Sequence, residues 1–359
     1  MKTSAWLTGS VACVLLGVVS SSGCKSVGSG TGPGGTGGGS VDAGPAFHLP
    51  LVLVGDVELP GNAVRFDYQD LDLARGHLII AHMNDSSVLI VNLSDGSVAK
   101  LLPNIPTVRG VVSADEIGRV FVTSTPPGRV VIIDALSLTE LGRVATGTAP
   151  DGVGWDPTHQ FVGVSDQGAG AISLLADAGT GKHTQVALGV ETGNVVFDLA
   201  RGHFWITVVN TAPPDQLAEV DPVAATVTTR INLPGCDGAH GLRLHPDGQS
   251  AFVACEGNSV VARVELGGAH ALVTASVGSG ADVLSIDPGL HWLYVAAESG
   301  DLTVFDIGQP GLVSIDTEHP GDNSHTVAVD PATHRVFFPL QAGPNGKPVL
   351  RIMRPASGP

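Results

Sequence analysis

Past residue 60 the chain alternates apolar and polar positions in short runs, each bounded by Gly, Pro, Asp or Asn, which is the signature of half-buried strands rather than helices. The runs also repeat. A second strand in each unit reads GHLIIAH from Gly76, GRVFVTS from Gly118, QFVGVSD from Gln160, GHFWITV from Gly202, QSAFVAC from Gln249, HWLYVAA from His291 and HRVFFPL from His334. Third strands follow at similar offsets: SVLIVNL, GRVVIIDA, GAISLLAD, DQLAEVD, NSVVARVEL, DLTVFDI and KPVLRIM. Each unit opens on an apolar strand ending in Asp or its replacement and closes on a weaker fourth strand. Seven units at about 40 residues per four strands give the period of a β-propeller.

The seventh unit stops after its third strand, so its fourth has to come from elsewhere. Residues 51–59 (LVLVGDVEL) precede the first unit and have the character of the fourth strands ELGRVAT and HTQVALG. The prediction is an all-β, seven-bladed propeller closed by an N-terminal strand that completes the last blade. Closure removes the open sheet edges that invite aggregation. The propeller is assigned to residues 47–357.

Composition changes the picture at the N-terminus. Lys2, the apolar run Val11–Val19 and Ser21-Ser22-Gly23 before Cys24 make residues 1–23 a targeting segment. Residues 24–46 are a Gly/Ser/Thr tether that cannot offset the entropy of ordering. A cleavage site ending on Cys resembles the lipobox of bacterial lipoproteins, and the resemblance implies acylation of Cys24 and a lipid-anchored place in the cell envelope. The alternative is an ordinary secretory signal, and export follows on either reading. The Gly30–Gly35 match to a dinucleotide fingerprint has neither a strand before it nor a helix after it and indicates no nucleotide site.

The formal net charge of −16 and the 14% of charged residues leave no basic surface for a phosphate backbone, which argues against nucleic acid as a partner. Of four cysteines, Cys13 lies in the targeting segment and Cys24 is the acylation candidate. Cys236 and Cys255 remain, and outside the cytoplasm a disulfide between them is expected. No CxxC occurs. His77, His203, His291 and His334 recur at one position of the repeat, near the start of the second strand, and read as turn residues, and Trp155, Trp205 and Trp292 as filling between blades.

Units such as Val120-Phe121-Val122-Thr123-Ser124 followed by Val130-Val131-Ile132-Ile133-Asp134, with Asp-Pro turns at Asp156-Pro157, Asp287-Pro288 and Asp330-Pro331, resemble the YVTN-repeat and lactonase-like propellers. That group includes sugar lactonases. The resemblance is architectural and fixes no chemistry.

Function is then sought in the differences between units. The residue five before the end of each first strand is Asp67, Arg109, Asp151, Gly193, His240, Asp282 or His325, at spacings of 42, 42, 42, 47, 42 and 43. In a propeller these positions face one another at one mouth of the central channel. The loop joining second to third strands adds His82, Asp166, Glu256 and Glu298. Three readings of this funnel stand open: a solvated mouth, a binding place for a small molecule or protein, and metal-assisted hydrolysis. For the last, Asp151, His240, Asp282 and His325 are the candidate ligands of a divalent ion. No HExxH or GxSxG motif supports catalysis. The favoured function is a lipid-anchored propeller that binds at its funnel without turnover, and the alternative is a lactonase-like metal-dependent hydrolase.

Overall fold

The structure is a computed structural model, and it describes residues 46–357. Cys24, the targeting segment and the tether up to residue 45 lie outside the described residues. The described chain forms seven four-stranded antiparallel sheets. Blade one comprises Gln69–Asp72, His77–His82, Ser87–Asn92 and Val98–Pro103. Blade five comprises Ala239–Leu244, Ser250–Cys255, Val260–Glu265 and Leu272–Ser276. Every second and third strand predicted above lies where the repeat placed it.

The last blade is built from both ends of the described chain. Its inner strands are Ala328–Asp330, Arg335–Leu340 and Val349–Ser357, and its outer strand is Phe47–Glu58. The pairing runs from Phe47 opposite Ser357 to Glu58 opposite Val349. Both strands are longer than the sequence pattern indicated. The register slips twice along Phe47–Glu58, between His48 and Leu51 and again between Leu53 and Gly55, so strict alternation is hidden.

Each turn has a local cause. The Asp ending a first strand accepts backbone N–H groups two and three residues on: Asp156 Oδ1 takes Thr158 at 2.8 Å and His159 at 3.0 Å, and Asp287 Oδ1 takes Gly289 at 3.0 Å and Leu290 at 3.1 Å. These Asx turns make the Asp-Pro signature readable. The four recurrent histidines occupy two positions, not one. His77 and His203 begin a strand, whereas His291 and His334 sit at φ of 55° and 56°, the left-handed conformation that Gly76 and Gly202 supply in other blades.

The buried side chains fall into seven clusters, one for each contact between neighbouring blades. One of them joins Phe337, Leu350 and Ile352 of blade seven to Leu78, Ile80 and Leu89 of blade one, together with Leu59, and so closes the ring. Trp205 is fully buried between blades four and five, and Trp155 packs on Phe121 between blades two and three. Apolar burial between blades therefore holds the toroid, and the inner strands are left free to carry polar groups around the axis.

The disulfide forms between Cys236 and Cys255, with Cα atoms 5.2 Å apart. Both cysteines are buried, and the bridge agrees with folding outside a reducing cytoplasm. Among the described residues no helix is long and apolar enough to cross a membrane.

Candidate functional site

In blades three to six the first strand carries a register shift at the position singled out from the sequence. The shifts lie between Pro150 and Val153, Thr192 and Val195, Ala239 and Leu242, and Ala281 and Leu284. A bulge places one extra residue in the inner strand and re-aims a side chain, and Asp151, Gly193, His240 and Asp282 all lie within these bulges. Neighbouring blades are tied to one another at the same level. Gly110 N–H donates to Asp151 O at 3.0 Å, Thr207 Oγ1 to His240 O at 2.8 Å, and Val283 N–H to His325 O at 3.3 Å. Gly110 and Gly241 permit the approach, because a Cβ would come within 2.2 Å of Asp151 O at the first and 1.7 Å of Asp282 O at the second.

The ring encloses a cavity of about 330 Å³ lined by Arg65, Asp67, Met83, Arg109, Asp151, Gln167, His240, Glu256 and Asp282. His240 stands at its centre. Its Nε2 is 3.2 Å from Asp151 Oδ2 and its Nδ1 is 3.2 Å from Asp282 Oδ1, with the Tyr68 hydroxyl 3.4 Å from Nδ1. Burial opposes charge on this imidazole, but the two carboxylates outweigh it and hold the group well above its ordinary range. Asp282 in turn is held below the usual carboxylate range: burial pushes it up, and the His240 contact together with the His325 and Arg65 charges more than reverses that.

Asp67 goes the other way. Burial and the neighbouring Asp151 and Asp282 charges push its carboxyl well above the usual range. The same burial and the same charges raise the Tyr68 phenol. Burial also raises Glu256. Two guanidinium groups balance the acids. Arg109 Nη1 donates to Gln167 Oε1 at 2.9 Å and lies 3.4 Å from Asp151 Oδ1, while Arg65 contacts Glu298 at 2.5 Å and Asp282 at 3.7 Å. Arg109 Nε is buried with no hydrogen-bond partner among the described residues.

The structure thus brings Asp67, Arg109, Asp151, His240, Glu256 and Asp282 to one cavity. Glu298 and His325 adjoin it through Asp282 without lining it. One ligand atom each from Asp282, Glu298 and His325 lie within 4.8 Å of one another, a set that could hold a divalent ion. Of the four ligands expected from the sequence, Asp282 and His325 belong to this set, whereas Asp151 and His240 are paired with each other.

His82 and Asp166 are placed away from the cavity. His82 is fully buried, stacked on Phe66 with ring centroids 4.0 Å apart, and burial lowers its pKa. Asp166 is tied down by Ser173 Oγ at 2.6 Å, Gly147 N–H at 2.9 Å and Gln185 Nε2 at 3.0 Å. The reason is a slip of one residue. The N–H groups of Gln167, Glu256 and Glu298 make the same bond, to Ala149 O, Gly238 O and Gly280 O. The position equivalent to Glu256 in blade three is therefore Gln167, and Asp166 is the last strand residue before it, pointing the other way. Gln167 was visible at that offset. Arg65 was not, since it lies in the segment before the first blade and outside the repeat.

No family model matches the chain, and no curated protein matches it. Solved structures do. One is Kuenenia stuttgartiensis hydrazine synthase, with a TM-score of 0.73 and 13% identity over 84% of this chain and 98% of that one. Another is virginiamycin B lyase from Staphylococcus aureus, with a TM-score of 0.67 and 11% identity over 84% of this chain and 99% of that one. At such identity the likeness is one of fold: the chain shares the architecture of these proteins, a seven-bladed β-propeller of four-stranded antiparallel blades.

Proposed function

We propose that this propeller binds a small polar molecule in the funnel at the His240 end of its channel and releases it unchanged. The observation that carries the reading is the state of His240. Both of its nitrogens face carboxylates at 3.2 Å, and its charge is stabilised, so it has no free lone pair with which to act as a general base. What the cavity offers is recognition. The Arg109 guanidinium and the Gln167 amide it donates to stand in its wall, and Glu256 stands in the same cavity as an acceptor. A molecule carrying both an anionic or carbonyl oxygen and a donor group, such as a zwitterion, matches this set. On the lipobox resemblance the protein presents this face from the cell envelope, tethered through Cys24.

The test is thermal stabilisation by a panel of small zwitterions and amides, read on the wild type and on Arg109→Gln and Glu256→Gln. Compounds that stabilise only the wild type support the reading. Compounds that act equally on all three, or an absence of any stabilising compound, count against it.

A second reading has its own observation. The clustering of Asp282, Glu298 and His325 supports a divalent ion at the edge of the same funnel, and His325 Nε2 is buried without a hydrogen-bond partner among the described residues. An ion there would polarise a carbonyl and acidify a bound water, which is lactonase-like hydrolysis. Elemental analysis of the purified protein separates the two: a stoichiometric divalent ion favours hydrolysis.

A further inference from the structure

The channel has a second end, and its chemistry is different. Three residues beyond each funnel position the first strands reach Asp70, Arg243, Ser285 and Ala328, about 10 Å deeper at the rise of a strand. These four line a separate cavity of about 420 Å³, whose walls are otherwise mainly apolar, among them Leu71, Leu244 and Ile286. Pro246, Pro288 and Pro331, in the turns that leave the first strands, rim it, which places its opening on the face opposite the funnel. Along the same segment Asp67 lines the funnel and Gln69 and Asp70 line this chamber, with Tyr68 buried between them in sequence.

Arg243 is the charged group of this chamber that is left over. Among the described residues its one side-chain hydrogen bond is to Leu242 O at 3.1 Å, and it makes no ion pair within 4.0 Å. The neighbouring Asp70 accepts the Ser113 N–H at 2.8 Å and feels the Arg243 charge without forming an ion pair with it. A guanidinium on an apolar wall, with most of its five donors unspent, fits an apolar molecule carrying one anionic group. We propose that this end of the channel binds a small apolar anion, its charge on Arg243 and its body against Leu71, Leu244 and Ile286. The site is independent of the funnel.

Anilinonaphthalene sulfonate tests this, with neutral phenylnaphthylamine as the same skeleton without the charge. The expected result is saturable fluorescence at one site per chain, with the anion bound about tenfold or more tighter than the neutral analogue. Arg243→Gln should lose that advantage while still binding the neutral compound. Leu73 is exposed at the rim, so Leu73→Glu should fold and should weaken the anion by repulsion. Arg109→Gln, which alters the funnel, should leave the affinity for the anion unchanged. The proposal is overturned if the wild type does not bind the anion, if Arg243→Gln and Leu73→Glu bind it as the wild type does, or if Arg109→Gln is the variant that loses it. Should Arg243→Gln fail to fold, Leu73→Glu decides alone.

Discussion

His240 of blade five and Asp282 of blade six face each other across a blade boundary, with Nδ1 and Oδ1 3.2 Å apart, and a bulge in each inner strand puts them there. The pair makes stability depend on pH. The folded imidazole has its pKa raised above the ordinary 6.5, so its contribution is complete below that value and is lost as pH climbs through the folded value. Asp67, raised above 3.8, works in the same direction, its contribution complete below 3.8 and lost as pH climbs through its folded value. Asp282, lowered, contributes above 3.8 and loses that contribution as pH falls through its folded value. Melting temperature should decline from about pH 6.5 into the alkaline range. In His240→Gln the decline should be shallower. An identical slope in the variant would show that another group titrates.

Ring closure rests on the strand Phe47–Glu58. Deleting residues 48–60 removes buried Leu51 and Leu59 and the Leu51 N–H bond to Glu318 at 2.7 Å, which links the strand to blade six. The deletion should melt far below the wild type or fail to fold. The milder Leu59→Ala should cost about 2–5 kcal/mol. Calorimetry on both checks this, and an unchanged melting temperature in the deletion variant would contradict the closure.

The disulfide closes a loop of 19 residues and directly precedes Glu256. Replacing both Cys236 and Cys255 by Ser should cost roughly 3 kcal/mol on the chain-entropy account. Ligand binding should suffer more than the fold, because Glu256 loses its brace. Binding indifferent to reductant would separate the bridge from the site.

The envelope address is tested by Cys24→Ser, with membrane fractionation as the readout. Two or three acyl chains make anchoring stable, so the variant should appear in the soluble fraction. A wild type already soluble after export would contradict acylation.

The architecture was legible because it is written redundantly. Seven alternating second strands and the Asx-forming residues Asp156, Asp287 and Asp330 repeat the same physics, and no single misreading of one unit could hide it. The inner ring was legible for the same reason, since Asp67, Arg109 and Asp151 stand 42 residues apart, as do His240 and Asp282. The loop positions were not redundant. His82 and Asp166 are strand-terminal residues whose side chains go to Phe66 and to Ser173, and only the backbone bonds of Gln167, Glu256 and Glu298 reveal the shared register. Arg65 and the chamber around Arg243 depend on which strand end meets which, and a linear pattern does not carry that.

The most direct measurement is a crystal structure of the protein with the zwitterion or amide that stabilises it best. Binding without turnover predicts density for the intact compound in the cavity between Arg109 and Glu256, with His240 still held by Asp151 and Asp282. Density for a cleaved product there, or for the compound at any other place, would contradict it.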